Sequence, residues 1–514
     1  MLAQHRLLAN VVDPELATTV AFSLEGGALT WGALDARSNA LASAMRGAGI
    51  GRGERVACLL ETSLDLVVTL VAHHKLGVVH VPINTRYAHA EIAHIVQDSG
   101  ARWLFASESL LTPLGGPEER FDADGLERVI VLGSDEWRAL SGGSAEAPIE
   151  HPPSFVDAAC ADEDTAMLIY TSGTTGRSKG VMLPFRAIAG GIGGLVGLWQ
   201  WVREDVLVLA LPLFHVHGLC IGVHGTLLTG NRSVLLPRFD AEAVCTAMAN
   251  GGTVFMGVPT MHARLVQHLD ANPEAARSFA NARLVTSGSA ALSADLFARF
   301  EAHTGHRILE RYGMSETLLT LSNPYDGVRR AGTVGRPVPG YDAQLVDEQG
   351  GPVEPGGIGE IEVRGAGLMT GYWGLPEQTQ ASFRDGWFRT GDVAIQSDDG
   401  VFRIIGRSSV DIIKSGGFKI SAREIEEAIE VDTDVAELAV IGIPDEVWGQ
   451  RIVAAVVPTS SGDNEQAEWL ERLQARSRER LADFKCIRDV RVIAELPRNA
   501  LGKVQKHKLA GLFE

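Results

Sequence analysis

Short apolar runs alternate with segments of helical periodicity along the N-terminal part of the chain. Val56–Leu60 and Val78–Pro82 are bounded by charged or turn residues, as buried strands are, and Leu64–Lys75 between them has helical spacing. Thr30–Met45 has the pattern of an N-capped helix. Further strand-like runs occur at Val129–Leu132, Ala166–Tyr170, Val206–Ala210, Val254–Val258 and Arg283–Thr286. Because strands that alternate with helices form parallel sheets covered by helices, we predict an α/β fold.

After about Gly335 the pattern changes to short strands separated by glycine, proline and aspartate turns. Ala343–Val346, Glu360–Val363 and Phe402–Ile405 predict a β-rich subdomain of about residues 336–406. A last module combines helices and strands at Glu424–Val431, Glu437–Ile443, Arg451–Val457, Glu465–Leu481 and Val490–Ile493. We therefore predict a large N-terminal domain at 1–406, a hinge at 407–411 and a small α+β C-terminal domain at 412–514.

The composition is that of a globular protein, with 45% hydrophobic and 21% charged residues. Lys and Arg number 46 against 64 Asp and Glu, and the resulting net charge of -18 disfavours a nucleic-acid partner. The five cysteines are widely spaced and odd in number, so neither a disulfide framework nor a zinc site is predicted. No signal peptide or membrane-spanning run is recognised, and we predict a cytoplasmic protein.

One segment, Tyr170–Val181, combines glycines, hydroxyl side chains and a lysine directly after an apolar strand. Its functional candidates are Thr171, Ser172, Gly173, Thr174, Thr175, Gly176 and Lys179. Glycines let the backbone approach an anion closely, while hydroxyls and an ammonium group supply hydrogen bonds and charge. The spacing is not that of a Walker A loop. We predict a triphosphate-binding loop, with an ordinary Ser/Thr/Gly surface turn as the alternative.

This segment resembles the phosphate loop of the adenylate-forming superfamily, which includes acyl-CoA synthetases, luciferases and peptide-synthetase adenylation domains. Further blocks resemble the same family in the same order across nearly the whole chain. They are Leu211–His215, Gly288–Ala290, Tyr312–Thr317, Trp387–Asp392, Gly406–Arg407 and Pro497–Lys503. The chain is identified as a member of that superfamily, which implies an enzyme that converts a carboxylic acid, ATP and coenzyme A into an acyl-CoA thioester, AMP and pyrophosphate.

The resemblance also implies where the nucleotide binds. Gly288–Ala290 and Tyr312 would form the adenine slot, and Asp392 would accept hydrogen bonds from the ribose hydroxyls with help from Arg407. The predicted nucleotide-binding residues outside the phosphate loop are Gly288, Ser289, Ala290, Arg311, Tyr312, Gly313, Met314, Ser315, Asp392 and Arg407. Core packing, a turn aspartate and a surface ion pair are the alternatives for these side chains.

Four residues are predicted to take part in the reaction of the carboxylate with ATP. Glu316 is a hard oxygen ligand suited to Mg²⁺, with Thr175 as its companion ligand, although an ordinary surface acid is the alternative for Glu316. By the resemblance, Lys503 enters from the small domain and contacts the carboxylate and the α-phosphate. Charge must be neutralised where those two anions meet, so Lys503, Glu316, Thr175 and His215 are the predicted catalytic residues.

The second half-reaction, by the same resemblance, needs the small domain to rotate about the hinge and present the loop Lys414–Phe418 to coenzyme A. Lys414, Ser415, Gly416 and Gly417 are the predicted coenzyme A contacts. The segment Gly406–Asp411 is one residue longer than the family pattern, which leaves the identity of the hinge residue open.

The acid is predicted from blocks that resemble malonyl-CoA synthetases, including Phe214–Leu219 and Gly257–Arg264. The resemblance places Arg264 beside a distal carboxylate and His215 at the entrance to the acid tunnel. The predicted acid-binding residues are His215, Arg264, Ser287, Met314 and Leu319. Leu318–Leu321 is more apolar than the malonate pattern, so medium-chain, alicyclic and aromatic monocarboxylic acids stay open.

Other functions also remain open at this level. An acyl-AMP ligase that serves a carrier protein, a luciferase-like oxygenase and a catalytically inactive nucleotide sensor would share many of these motifs. We expect a monomer or a homodimer.

Overall fold

The computed structural model describes residues 1–111, 125–141, 158–171, 178–407, 411–415, 418–429, 434–445, 448–459, 466–481, 485–498 and 504–513. Packing divides the chain into two units. The first comprises Met1–Ala331, Gly335–Asp342 and Arg364–Gly386. The second comprises Gly332–Val334, Ala343–Val363 and Trp387–Glu514.

Among the described residues, seven strands of the first unit form a mixed, mainly parallel sheet. In spatial order they are Gly371–Tyr372, Lys179–Pro184, Thr165–Thr171, Val79–Pro82, Arg55–Leu59, Trp103–Ala106 and Arg128–Val131. The pairing is parallel from Thr165–Thr171 to Arg128–Val131 and antiparallel at the opposite edge. Val81, Leu104 and Leu168 belong to its fully buried core, as expected for strands covered on both faces.

A second sheet of the first unit has nine strands in the part of the chain that the structure describes. In spatial order they are Arg336–Pro337, Leu318–Ser322, Leu309–Met314, Leu284–Ser287, Val254–Gly257, Val206–Leu209, Arg232–Leu235, Val20–Leu24 and Gly27–Thr30. The pairing is parallel from Leu309–Met314 to Val20–Leu24. Phe255, Leu265 and Phe300 form part of its core. The carboxyl ends of the parallel strands therefore meet at one edge of this sheet.

Some helices of the first unit begin at a capping side chain. The hydroxyl of Thr30 accepts a hydrogen bond from the backbone N–H of Ala33, and Ser63 does the same for Leu66. The α-helices are Ala3–Leu8, Trp31–Gly47, Leu64–Leu76, His89–Ser99, Glu108–Leu111, Asp135–Ser141, Phe185–Leu198, His224–Thr229, Ala241–Ala249, Pro259–Ala271, Ala294–Thr304 and Pro376–Ala381. A π-helical turn, His217–Val223, and a 3₁₀ helix, Pro273–Phe279, complete the set, and the short strand Phe383–Arg384 closes the unit.

Within its described ranges, the second unit contains two sheets. The first is antiparallel and includes Tyr341–Val346, Ile358–Gly365, Trp387–Gln396 and Phe402–Arg407. The second consists of Phe418–Ser421, Ile412–Ser415, Gly449–Pro458, Val435–Asp445 and Asp489–Val492. Helices Ala422–Ile429 and Gln466–Arg480 cover it, and Ile425, Val456 and Trp469 are buried in its core. Two 3₁₀ turns, Lys506–Lys508 and Ala510–Leu512, follow.

The predicted α/β fold class is confirmed, with parallel sheets in the first unit and a β-rich sheet and an α+β module in the second. Part of the predicted β-rich range, Ala343–Val363 and the residues from Trp387, groups with the C-terminal module, where Ser421 donates to the carbonyl of Ile405 at 2.6 Å. The predicted boundary between residues 406 and 407 stays a prediction. No helix among the described residues is both long and apolar enough to cross a membrane.

Candidate active site

The predicted phosphate loop is anchored by two antiparallel strands of the seven-stranded sheet. Thr171 at the end of the first strand lies opposite Lys179 at the start of the second. The loop residues Ser172, Gly173, Thr174, Thr175 and Gly176 lie outside the described residues. Their roles stay predictions, but both ends of the loop belong to one rigid hairpin.

Lys179 and Glu316 are connected through the side chain of Tyr372. The Lys179 ammonium lies 5.4 Å from the centre of the Tyr372 ring, close enough for a cation–π interaction. The Tyr372 hydroxyl donates a hydrogen bond of 3.0 Å to Oε1 of Glu316, a residue that is only 7% exposed. The structure therefore brings together the phosphate hairpin and the carboxylate predicted to bind Mg²⁺.

Sequence reasoning missed Tyr372. Strand Gly371–Tyr372 is two residues long and pairs with Lys179–Pro184, but an aromatic residue after a glycine is too common to indicate a site. Only the fold shows that its hydroxyl reaches a carboxylate 56 positions away in the chain.

The candidate adenine and acid residues follow two adjacent parallel strands. Ser287 lies opposite Glu310, so Gly288 and Arg311 emerge side by side at the same edge. A Cβ atom on Gly288 would lie 2.3 Å from Cζ of Arg311, which only glycine avoids. Ser289 then takes a left-handed φ of 69° as the chain leaves the sheet. Small residues here leave room for the guanidinium.

A similar constraint applies to the strand that carries Tyr312. A Cβ atom on Gly313 would lie 1.9 Å from the carbonyl oxygen of Leu318, and the pairing register shifts between Tyr312 and Gly313. Met314, which is half-buried, receives a weak contact of 3.9 Å at its sulfur from the Tyr312 hydroxyl. Leu319 is fully buried. Ala290 is exposed and Ser315 is buried.

Arg311 is buried without a counter-charge. It is 5% exposed, and within the described ranges no carboxylate forms an ion pair with it. Its Nε and Nη2 atoms are buried and have no hydrogen-bond partner. Burial lowers the pKa of Arg311 from its ordinary value to about 9, so the guanidinium is still charged at neutral pH. An uncompensated buried cation indicates a site for an anion.

Two histidines next to this arginine are held neutral. The pKa of His215 falls to about 4, first because of burial and then because of the positive Arg311. Its Nδ1 accepts a hydrogen bond of 3.3 Å from the backbone N–H of His217, which places the ring proton on Nε2. His217 is 3% exposed, and burial together with Arg311 lowers its pKa as well.

His217 beside Arg311, and residues on the neighbouring strand and helix, carry further buried polar atoms without a partner among the described residues. They are Nδ1 and Nε2 of His217, Nδ1 of His262, Oγ1 of Thr286 and Oγ of Ser287. The other nitrogen of His262 donates to the carbonyl of Thr286 at 3.0 Å, and burial lowers the pKa of this ring to about 4. Buried polar groups are usually satisfied, so this concentration of unsatisfied atoms indicates a ligand pocket.

Arg264 lies on the exposed surface of its helix and is not buried as Arg311 is. It belongs to Pro259–Ala271 and its side chain is exposed, whereas His262, two residues earlier, is buried. The predicted contact between Arg264 and a distal carboxylate stays a prediction, and Arg311 has the stronger structural case.

In the second unit, Asp392 and Arg407 lie opposite each other on antiparallel strands. Nε of Arg407 donates to Oδ1 of Asp392 at 2.8 Å, and the role of this pair at the ribose stays a prediction. Ser415 is buried. Lys503, Gly416, Gly417 and the side chain of Lys414 lie outside what the structure describes.

The residues present fit the groups that the sequence implies. Glu316 offers one carboxylate, and Mg²⁺ commonly binds through one or two protein carboxylates and substrate phosphates. Lys179 is in place to neutralise phosphate charge beside it. The unsatisfied donors around Arg311 fit an anionic substrate.

This arrangement agrees with the comparison to known families. Residues 13–373 match the AMP-binding enzyme family, and residues 424–503 match the AMP-binding enzyme C-terminal domain. The chain belongs to the AMP-binding enzyme family.

Individual relatives indicate which kind of AMP-binding enzyme this chain is similar to. The mitochondrial malonate–CoA ligase ACSF3 of Mus musculus is 36% identical over 89% of this chain and 81% of its own. A sulfoacetate–CoA ligase of Cupriavidus necator is 34% identical over 94% of this chain and 92% of its own. The crystal structure of ATP-bound MatB from Rhodopseudomonas palustris superposes with a TM-score of 0.89 at 33% identity and covers both chains completely.

The chain is therefore an AMP-forming acid–CoA ligase. It uses ATP, Mg²⁺ and coenzyme A. The predicted superfamily, enzyme class and cofactors are confirmed, and the inactive sensor is no longer a viable alternative.

Proposed function

We propose that the acid activated by this ligase is malonate or a closely related small acid with a second anionic group. The observation that carries the proposal is the buried, uncompensated guanidinium of Arg311.

A second carboxylate would compensate this charge. Leaving a buried ion without a partner costs about 3–5 kcal/mol relative to the paired state. The free Nε and Nη2 atoms of Arg311 are on the same edge of the guanidinium, which suits two parallel hydrogen bonds to one carboxylate. His217 and Ser287 supply further donors nearby.

Two of the relatives support a second anionic group in general terms. One is named for malonate and the other for sulfoacetate, and both acids have a second acidic group close to the reacting carboxylate. The shared requirement would be a compact dianion.

A monocarboxylic acid is the second candidate, and it rests on a specific observation. Leu318, Leu319 and Leu321 are all buried, which gives an apolar strand next to Met314. An apolar tail would pack against such a wall but would leave Arg311 without a counter-charge, so we favour the dicarboxylic acid.

The proposed chemistry proceeds in two steps. A carboxylate oxygen attacks the α-phosphorus of ATP, and the bond to pyrophosphate breaks to leave acyl-AMP. The thiol of coenzyme A then attacks the acyl carbonyl, loses its proton and displaces AMP.

Each described group has a place in these steps. Lys179 would neutralise the phosphates, and Glu316, oriented by Tyr372, would hold the Mg²⁺ that supplies further charge neutralisation when bound. Asp392 would hold the ribose. Neutral His215, with its proton on Nε2, would donate a hydrogen bond toward the reacting carboxylate. We retain the proposal that Lys503 contacts the carboxylate and the α-phosphate.

The test is a panel of acids assayed for coenzyme A-dependent AMP release, with malonate, methylmalonate, sulfoacetate, butyrate, cyclohexanecarboxylate and benzoate. We expect kcat/KM for malonate to exceed that for butyrate by at least about 100-fold, since a charged hydrogen-bonded pair is worth about 3 kcal/mol or more. A preference for butyrate, cyclohexanecarboxylate or benzoate would reject the dicarboxylic acid and leave the ligase class unchanged.

A further inference from the structure

Lys506 in the second unit is a buried lysine that forms two ion pairs. Its ammonium lies 2.7 Å from Oδ1 of Asp411 and 2.8 Å from Oε1 of Glu426. The Lys506 side chain is 11% exposed. Burial alone would lower the pKa of Lys506, but the two carboxylates raise it above its ordinary value. The group is thus a firmly charged bridge between two acids.

Each acid is itself fixed to the backbone. Oδ2 of Asp411 accepts the N–H of Arg407 at 3.0 Å, and the Asp411 N–H donates to the Arg407 carbonyl at 2.8 Å. Glu426 accepts the N–H of Val440 at 2.7 Å. Lys506 is therefore held by two groups that are rigid with respect to the two sheets of this unit.

The position of Lys506 in the chain gives this bridge a consequence. It follows the predicted catalytic Lys503 by three residues. Arg498 and Val504 form an isolated antiparallel β-bridge, and the N–H of Gln505 donates to the carbonyl of Pro497 at 2.7 Å. These two contacts form the base of the segment that contains Lys503. The ion pair of Lys506 joins the C-terminal end of that base to Asp411.

The other end of the bridge is close to the nucleotide residues. Asp411 is hydrogen-bonded to Arg407, and Arg407 pairs with Asp392, the predicted ribose ligand. One ammonium group thus links the base of the segment that bears Lys503 to Asp411 beside the ribose pair.

We propose that Lys506 is a positioning residue for adenylation, which fixes the base of the Lys503 segment relative to the Asp392–Arg407 pair. The proposal rests on the adenylation role of Lys503. A displacement of about 1 Å in a group that meets a reacting centre can cost about 100-fold in rate. Lys506 therefore affects the acyl-AMP step, in which Lys503 takes part, and leaves thioester formation from acyl-AMP unaffected.

The experiment measures the two half-reactions separately in the full-length enzyme. Lys506→Met is compared with wild type for acid-dependent ATP–pyrophosphate exchange and for thioester formation from supplied acyl-AMP and coenzyme A. We expect exchange to fall by about 100-fold while thioester formation stays within about twofold. Lys506→Arg, which keeps the charge, should restore at least about a tenth of the lost exchange rate. Lys508→Met, an exposed lysine in the same turn, is the matched control and should change neither.

Because Lys506→Met leaves two partly buried acids without a cation, Glu426→Gln is combined with it to preserve the fold, and circular dichroism checks both variants. Equal loss of both half-reactions in the folded double variant, or no loss in either, would overturn the positioning role. Lys503→Ala separates this result from the role on which it rests. Wild-type exchange in Lys503→Ala would refute the role of Lys503 itself, and would also overturn the positioning role.

Discussion

Arg311 and Lys506 are two buried cations in the same chain, and they differ in what surrounds them. Lys506 has a carboxylate on each side, and its pKa is raised. Arg311 has none, and burial lowers its pKa to about 9. Removing the partners of a buried charge costs folding free energy, and an unpartnered buried charge is typical of a site where a ligand supplies the missing anion. Under the proposed function, Lys506 therefore belongs to the architecture and Arg311 to the substrate site.

The largest expected effect is on substrate preference, and its absence would contradict this comparison. Arg311→Met should lower kcat/KM for malonate by about 1,000-fold, since it removes a buried bidentate pair worth about 4 kcal/mol. It should change kcat/KM for a slowly used monocarboxylate such as butyrate by less than about tenfold. Steady-state rates of AMP release measure both values. Equal losses for the two acids would show that Arg311 does not recognise the second carboxylate.

Replacement of the cation should lower folding stability at Lys506 but not at Arg311. Lys506→Met should lower the free energy of unfolding of the second unit by about 3 kcal/mol, because two buried acids lose their partner. Arg311→Met should leave the stability of the ligand-free enzyme unchanged or raise it. Urea unfolding followed by circular dichroism and by fluorescence distinguishes the two, and a large destabilisation by Arg311→Met would contradict the absence of a counter-charge.

The pH dependence of malonate use sharpens the same contrast. Because burial lowers the pKa of Arg311 to about 9, binding of a dianion should be strongest below that pH and should weaken as the pH rises through it. KM for malonate should rise by about fivefold between pH 9 and pH 10, while KM for butyrate stays flat. A parallel rise for both acids would locate the titration in another group.

The smallest expected effect concerns the Tyr372 hydroxyl. Tyr372→Phe removes one hydrogen bond to Glu316, worth about 1 kcal/mol, and should raise the Mg²⁺ concentration needed for half-maximal MgATP binding by about fivefold. Calorimetry with a non-hydrolysable ATP analogue measures this without turnover. Tyr341→Phe is the control, because it also removes a hydrogen bond from a buried tyrosine hydroxyl but the acceptor is the carbonyl of Thr317 and not a carboxylate. An identical change in both variants would argue against orientation of Glu316.

Much of the fold could be predicted because its signals are local. Strand–helix alternation predicted the parallel sheets, and Thr30 was recognised as the first residue of a helical segment and is its N-cap in the structure. The strand before the phosphate loop was predicted from its apolar run, whereas the antiparallel strand that follows the loop was not predicted.

The acid pocket could not be predicted in the same way because burial and pairing are properties of the folded chain. Arg311 was predicted to contact the nucleotide, and no local sequence pattern indicates that it lacks a carboxylate partner. Arg264 was preferred for the distal carboxylate, but its side chain is exposed. Tyr372 and Lys506 act across 56 and 95 positions of sequence, distances over which no local pattern operates.

The central claim is that Arg311 receives the second anionic group of the acid. A crystal structure of the enzyme with a non-reactive malonyl-adenylate analogue tests it directly. We expect both oxygens of the distal carboxylate within about 3 Å of the Arg311 guanidinium nitrogens. A distal carboxylate that contacts Arg264 or solvent instead, with Arg311 still unpaired, would contradict it.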